Sequence, residues 1–512
     1  MAEIKEKLKT LKVDGKLYPR AHDNRLPISH SLLKGPRKGF LKAAFKSFLS
    51  LQILFLALFA YLFGAIFAQS GRIHKMNIVF VDYDGGAIGE SFRQAYSTLK
   101  NPSFPTLEEQ SPSVYETVGE VRHDVCKIDY WGAIYIAPNA SSELEAALAS
   151  GSNNYDKTNM VFYIWNEARY SAVIDSSISA NLQTLSQAAR IAYSHRNFTD
   201  ITLSPSTLPI VADPWHLTSD NIQSTTQGAR LVYNTLVIIL VLIQEFFYLG
   251  TINALYEGFN IYSRLNPHRI IIFRFFLSLA YCLIGALCVS GIIWAYRSSW
   301  DVNAAQFFLT WAVLWLFAHL NFLTLDVFTV WLPPPFIPMA LISWVIMNAS
   351  SVLVPFELSN GFYKWGYMLP AHAVYNTLVD IWSRGCNPQL YYTLPVLFSF
   401  EISSFVLSAL GVHRRSHYAV IKEEQEAEAF QGRIDTAMDF ERKKARERRE
   451  NDERVDEEEG EDKDEEEGED KDREELSRAI TREMSRVKRV QSASKVVGFG
   501  PSFGPHFVGS DE

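Results

Sequence analysis

Long apolar runs separated by ordinary mixed sequence set the architecture of this chain. Residues Phe48–Ala68 carry no charged side chain and reach the roughly 20 residues a membrane helix requires. Comparable runs follow at Leu231–Leu255, Ile271–Tyr296, Phe307–Thr329, Phe336–Val354 and Tyr391–Val412. They predict an α-helical polytopic membrane protein with six transmembrane helices, the first over 47–69 and the rest in a bundle over 230–412. Lys34, Arg37, Lys38, Lys42 and Lys46 crowd the start of the first run, so the segment 1–46 is expected in the cytoplasm. No compelling cleavage pattern follows that run, which is therefore expected to stay as a span. Arg264, His268 and Arg269 after the second run, and Arg414 and Arg415 after the sixth, repeat the bias and predict a cytoplasmic C-terminus. Pro333, Pro334 and Pro335 force a turn between the fourth and fifth runs. Residues 355–390 are aromatic and broken by Gly and Pro, which predicts an outer interfacial loop, partly re-entrant.

Between the first two runs, residues 70–229 are too polar to enter lipid and predict an α/β extracytoplasmic domain. Met76–Tyr83, Gly132–Ala137 and Met160–Trp165 read as strands. Ser141–Leu148 reads as a helix capped by Ser141 or Ser142, and Ser171–Tyr193 has apolar residues at helical spacing. Asp82 and Asp84 precede Gly85-Gly86; the pattern suits a phosphate or metal site and equally a plain strand-to-helix turn. Asn139-Ala-Ser and Asn197-Phe-Thr fit the N-glycosylation triplet on that side of a membrane.

The chain has 512 residues and a net charge of −8, but the charge is unevenly spread. Asp452–Glu475 holds 17 acidic and 4 basic residues, so the remainder is basic. EEEGEDKD repeats in tandem at 457–464 and 465–472, and such a run cannot bury a core. The region 413–512 is expected as a charged cytoplasmic tail, helical over Glu423–Glu450 and then largely disordered. Ser485 and Ser492 each follow an arginine by three positions, a pattern that suits phosphorylation or simply a solvated tail. Four cysteines are too few for a disulfide scaffold. Cys282 and Cys288 share one apolar run as small packing residues, whereas Cys126 and Cys386 fall on the outer side, where an oxidising compartment would let them pair.

No phosphate loop, HExxH, paired CxxC or GxSxG is present, so no catalytic residue, metal or cofactor is expected, nor a nucleic-acid partner. The informative groups are ionisable residues inside the runs, because a charge in lipid is costly unless paired or wet. Glu245, Arg274 and Asp326 are expected to cluster toward the cytoplasmic side, with His319 and Glu401 near mid-span. They read either as a polar path for a headgroup, drug or proton, or as structural hydrogen-bonding groups between helices.

With one span, a large domain and five further spans, the phrases MNIVFVDYDGGAIGESF and YWGAIYIAPNASSELEAALASG resemble the ABC-2 type membrane-permease superfamily, and DYWGAIYIAPNAS, NMVFYIWNEARYS and FYKWGYMLPAHAVYNTLVDIW resemble one family within it. Within it, residues 40–415 look most like the fungal nitrosoguanidine-resistance membrane protein family. That resemblance implies resistance to toxic small molecules at the plasma membrane, through transport or efflux or through control of lipid asymmetry. It also implies membrane lipids and small-molecule toxicants as partners, a separate ATPase or regulatory subunit, and a homodimer. A different expectation is a non-transporting membrane scaffold or sensor, whose domain and acidic tail bind partners.

Overall fold

A computed structural model describes residues 29–151, 155–196, 205, 207–225, 237–298 and 300–456. The chain divides after Ala60 into two compact units. In the first, the described residues chiefly form the leading part of helix α1 (Lys34–Ile66), whose apolar side chains, such as Phe40, Phe48, Leu56 and Phe59, are exposed. From Phe48 onward the helix carries no charged side chain and is apolar on all sides, which suits lipid rather than water.

In the second unit a five-stranded sheet forms first. It is built from β1 (Asn77–Asp82), α2 (Ala87–Leu99), β2 (Thr106–Gln110), α3 (Val118–Lys127), β3 (Gly132–Ile136), α4 (Ala140–Ser150) and β4 (Val161–Trp165). After β4 come α5 (Ser171–Ile174), a π turn at Asp175–Ser179, α6 (Ala180–Ser194), α7 (Leu208–Ala212) and β5 (Leu217–Asn221). The strand order is β2-β1-β3-β4-β5, and every pair is parallel except β3 with β4. The inner strands read as unbroken apolar runs because both faces are covered. Ile78, Phe80, Ile134 and Ile136 face α2 and α6, with Phe80 and Phe92 centroids 6.1 Å apart. Val79, Val81, Ala133 and Ile164 face Val121 and Val125 of α3.

Three sequence expectations shift here. The helix read as 141–148 begins at Ala140, with Asn139 in the left-handed conformation before it, so neither Ser141 nor Ser142 is its cap. The helix read as 171–193 is interrupted by the π turn. The polar edge strands β2 and β5 had no apolar signal.

The remaining helices are α8 (Val237–Gly258), α9 (Ile261–Arg264), α10 (Pro267–Ala295), α11 (Ala304–Trp331), α12 (Ile337–Ser350), α13 (Pro370–Trp382) and α14 (Leu390–Asp456). Among the described residues, α1, α8, α10, α11 and α14 are long and apolar enough to cross a membrane. The run expected as the span 336–354 instead yields α12, of 14 residues. At 1.5 Å per residue that is about 21 Å, short of the ~30 Å hydrocarbon core. The helix stops because its polar end turns on itself: Asn348 donates to the Trp344 carbonyl, Ser350 to Met347 and Ser351 to Asn348. The Asn348 carbonyl oxygen Oδ1 then accepts the Ala371 N–H at 3.1 Å, satisfying a free donor in the first turn of α13. Every residue of α13 except Ile381 is buried, so the expected interfacial loop contains a core helix. The helix that carries the last run does not stop at Val412, since α14 continues unbroken to Asp456. The beginning of the span expected at 231–255 lies outside the described residues, and α8 runs on to Gly258.

Candidate functional site

The polar residues of the bundle stand on one stripe per helix. On α10, Arg274, Ser278 and Cys282 recur every four residues and are buried, while Ile272, Phe273, Phe276 and Ile284 on the other side are exposed. His319 and Asp326 on α11, Glu245 and Asn253 on α8, and Glu401, Ser404, Ser408 and Arg415 on α14 face the same stripe.

At one end Asp326, fully buried, takes Arg274 at 2.7 Å and Arg415 at 2.9 Å through Oδ1, while Oδ2 accepts from Ser408. Arg274 also donates to Asn253 Oδ1 at 2.7 Å and lies over the rings of Tyr256 and Phe322 at 5.3 and 5.4 Å. Arg415 donates to Thr329 at 2.6 Å and to Tyr262 at 3.2 Å. Two guanidiniums on one carboxylate give the hydrogen bonding that makes buried charge tolerable. One turn along, Thr324 and Ser404 meet at 3.0 Å. In the next layer His319 Nδ1 stands 2.6 Å from Glu401 Oε1, and its Nε2 stands 3.1 Å from the Ser278 hydroxyl. A further turn along α10, the Cys282 thiol donates to Glu245 Oε2 at 3.2 Å. Glu245 Oε1 and Glu401 Oε2 are buried oxygens without a hydrogen-bond donor among the described residues.

Four of the five intramembrane candidates therefore form two pairs, Arg274 with Asp326 and His319 with Glu401. The expectation that Glu245 joins Arg274 and Asp326 is corrected. Eight residues separate Glu245 from Asn253, the α8 residue that meets Arg274, and the carboxylate stands with Cys282 instead. Arg415, Ser408, Ser278 and Cys282 were missed as members of the site. Arg415 lies seven residues after Ser408, two turns along one face, a signal that counts only once the helix is known to continue past Val412.

A second constellation joins the sheet to the helices. Cys126, in the last turn of α3, and Cys386, between α13 and α14, form a disulfide with Cα atoms 4.4 Å apart. Arg169 donates to the carbonyls of Val125 at 2.8 Å, Cys126 at 2.6 Å and Cys386 at 3.0 Å. Burial pushes its pKa down to about 9, with Tyr375 and Asp380 opposing, so it remains a cation at neutral pH. The Tyr170 N–H donates to Tyr375 of α13 at 2.6 Å.

The family model described as "Protein of unknown function (DUF3533)" matches residues 47–406. The chain belongs to this family. The DUF3533 match encloses Glu245, Arg274, His319, Asp326, Glu401 and both disulfide cysteines, and ends before Arg415. An uncharacterized endoplasmic reticulum membrane protein of Saccharomyces cerevisiae is 23% identical over 389 residues, covering 67% of this chain and 74% of the relative. No solved structure matches. With its long apolar helices, this DUF3533 chain is an integral membrane protein.

The remaining candidates are structural or lie elsewhere. Asp82 Oδ1 accepts the N–H groups of Asp84 and Gly85 at 3.2 and 2.9 Å, and Oδ2 takes Arg93 at 2.7 Å. Asp84 accepts from Gly86 and from the backbone and hydroxyl of Ser141. Both carboxylates are thus consumed by the strand-to-helix turn. A Cβ added at Gly89 would lie 1.9 Å from Asp82 Oδ2, so the close approach of α2 to that carboxylate needs glycine. Asn139 is exposed at the start of α4. Asn197, Ser485 and Ser492 lie outside the described residues.

Proposed function

We propose that this protein moves amphipathic molecules, lipid headgroups or toxic small molecules, along the polar stripe of its helical bundle. Resistance to toxicants, or adjusted lipid asymmetry, follows from that movement. The observation that carries the reading is the line of mostly buried polar side chains from Arg415 to Glu245, ending in carboxylate oxygens without a hydrogen-bond donor among the described residues. A purely structural network closes on itself, because a half-satisfied buried group costs free energy. A separate ATPase or regulatory partner and a homodimer belong to this proposal. The termini are taken as cytoplasmic and the sheet domain as extracytoplasmic, where a disulfide persists in the endoplasmic reticulum lumen as well as outside the cell. The yeast relative's name adds the endoplasmic reticulum to the plasma membrane as a location.

The test is the rate at which fluorescent phospholipids exchange leaflets in proteoliposomes holding the purified full chain. Movement well above protein-free vesicles, and at least about tenfold slower in Glu401→Gln, is expected, an effect of ~1.4 kcal/mol on the barrier. Movement no faster than in empty vesicles overturns self-sufficient lipid translocation. A second reading, a scaffold that recruits cytoplasmic partners, draws on the exposed charged stretch of α14 beyond the bundle. Under that reading, deletion of 416–512 abolishes function while leaflet exchange stays at background.

A further inference from the structure

The bundle sets three carboxylates, the fully buried Glu245 and Asp326, and Glu401 with its side chain 17% exposed, against two buried guanidiniums, Arg274 and Arg415. Asp326 is bonded to both arginines, which leaves one surplus positive charge. One further ionised carboxylate balances it. The second then leaves the interior with an unbalanced negative charge unless a proton is bound.

Two seats are built for that proton. Among the described residues Glu245, fully buried, receives one donor, the Cys282 thiol at 3.2 Å, and its Oε1 meets none. A bare ionised oxygen in an apolar interior is strongly disfavoured, and protonation removes the charge. The other seat is Glu401 with His319. The Ser278 hydroxyl lies 2.9 Å from the Phe275 carbonyl and 3.1 Å from His319 Nε2. When it donates to Phe275, Nε2 must carry a hydrogen, and the 2.6 Å contact of Nδ1 with Glu401 then holds one proton more. When the hydroxyl rotates to donate to Nε2, Nδ1–H donates to an ionised Glu401 and that extra proton is gone. Both states satisfy the serine and the imidazole. Cys282 bonds to one seat and lies within electrostatic reach of Glu401 in the other.

We infer that Glu245 and the His319–Glu401 pair form a binding site for a single exchangeable proton, held at one seat or the other. This deepens the translocator reading by naming the proton as co-substrate, while proton binding itself requires no transport. The other titratable groups around the seats have other roles. Tyr248 and Tyr256 of α8, Tyr262 of α9 and Tyr281 of α10 are phenols, ordinarily neutral below pH ~10. Arg274, Arg415 and Asp326 are mutually paired, and α12 contributes no ionisable group. On α13, His372 is bound to the Ser351 carbonyl and Asp380 to the Asn387 N–H.

The experiment is a potentiometric difference titration of the purified full chain in detergent from about pH 5 to pH 10, where the other groups cancel between variants. Glu245→Gln and Glu401→Gln are each expected to release one proton fewer than the wild type, and the double variant no fewer than either single. Glu245→Asp and Glu401→Asp, which retain a carboxyl, restore the missing proton, and each variant must elute as a monodisperse peak. A wild-type titration in Glu245→Gln, or losses that add in the double variant, overturns the shared proton. Leaflet exchange by the same preparations separates the two ideas. Exchange without the proton difference defeats only the proton site, and the proton difference without exchange defeats only the translocator.

Discussion

The sheet domain and the helical bundle both bury charged residues, but they use them differently. In the domain, Asp82 and Asp84 are spent largely on backbone N–H groups of a turn, and Arg169 on three backbone carbonyls. Each fixes where the chain goes. In the bundle, helices satisfy their own backbone, so the buried side chains meet other side chains, and the network ends in oxygens of Glu245 and Glu401 with no donor among the described residues. A buried charge facing backbone marks architecture. Under the proposal made above, a buried carboxylate that faces other side chains and keeps an oxygen free is where a headgroup or proton binds.

The contrast is sharpest at Asp326, the bundle residue that behaves most like an architectural one. Asp326→Leu leaves Arg274 and Arg415 buried without an anion, and a loss of about 3–5 kcal/mol is expected. Thermal unfolding of the full chain followed by size exclusion reads it. Cys386→Ser removes a link between residues 260 apart in sequence, with an expected cost of about 2–4 kcal/mol. Reductant should lower the wild-type melting temperature and leave that of the variant unchanged. Asp82→Asn weakens the turn and the Arg93 pair for about 1–3 kcal/mol, seen as faster proteolysis of the domain in the intact chain. Glu401→Gln should change stability least, by less than about 1 kcal/mol, since an amide still accepts from His319. A loss as large as that of Asp326→Leu would erase the distinction and make Glu401 structural.

Much of this division was legible in the sequence, and the rest was hidden for physical reasons. Strands β1, β3 and β4 declared themselves because residues buried on both faces must be apolar. Strands β2 and β5 did not, because TLEEQ and LTSDN lie at the sheet edges with one apolar residue each, and join through backbone bonds and polar side-chain contacts such as Asn77–Glu108 and Trp165–Ser219. The carboxylates of the bundle were conspicuous one by one, yet their pairing depends on helix register. Glu245 went to Cys282 rather than Arg274, and a cysteine that looked like small packing became its hydrogen-bond donor. The approach of Cys126 to Cys386 depends on how the domain sits on α13, which no local pattern encodes. The shortness of α12 follows from Asn348, Ser350 and Ser351 bonding back to carbonyls, a choice that apolar content does not reveal.

One element belongs to both the membrane and the aqueous phase. Helix α14 has 67 residues, carries Pro395 near its start and Glu401 soon after, and continues into its charged stretch without a break. At 1.5 Å per residue it is roughly 100 Å long. A proline inside a helix is a natural bending point, since it removes a backbone bond and crowds the preceding turn. A bend there would swing Glu401, Ser408 and Arg415 together with the charged stretch, because all of them follow Pro395 on one unbroken helix. Because the helix is unbroken from Glu401 to Asp456, a small change of angle at Pro395 becomes a large displacement at its far end.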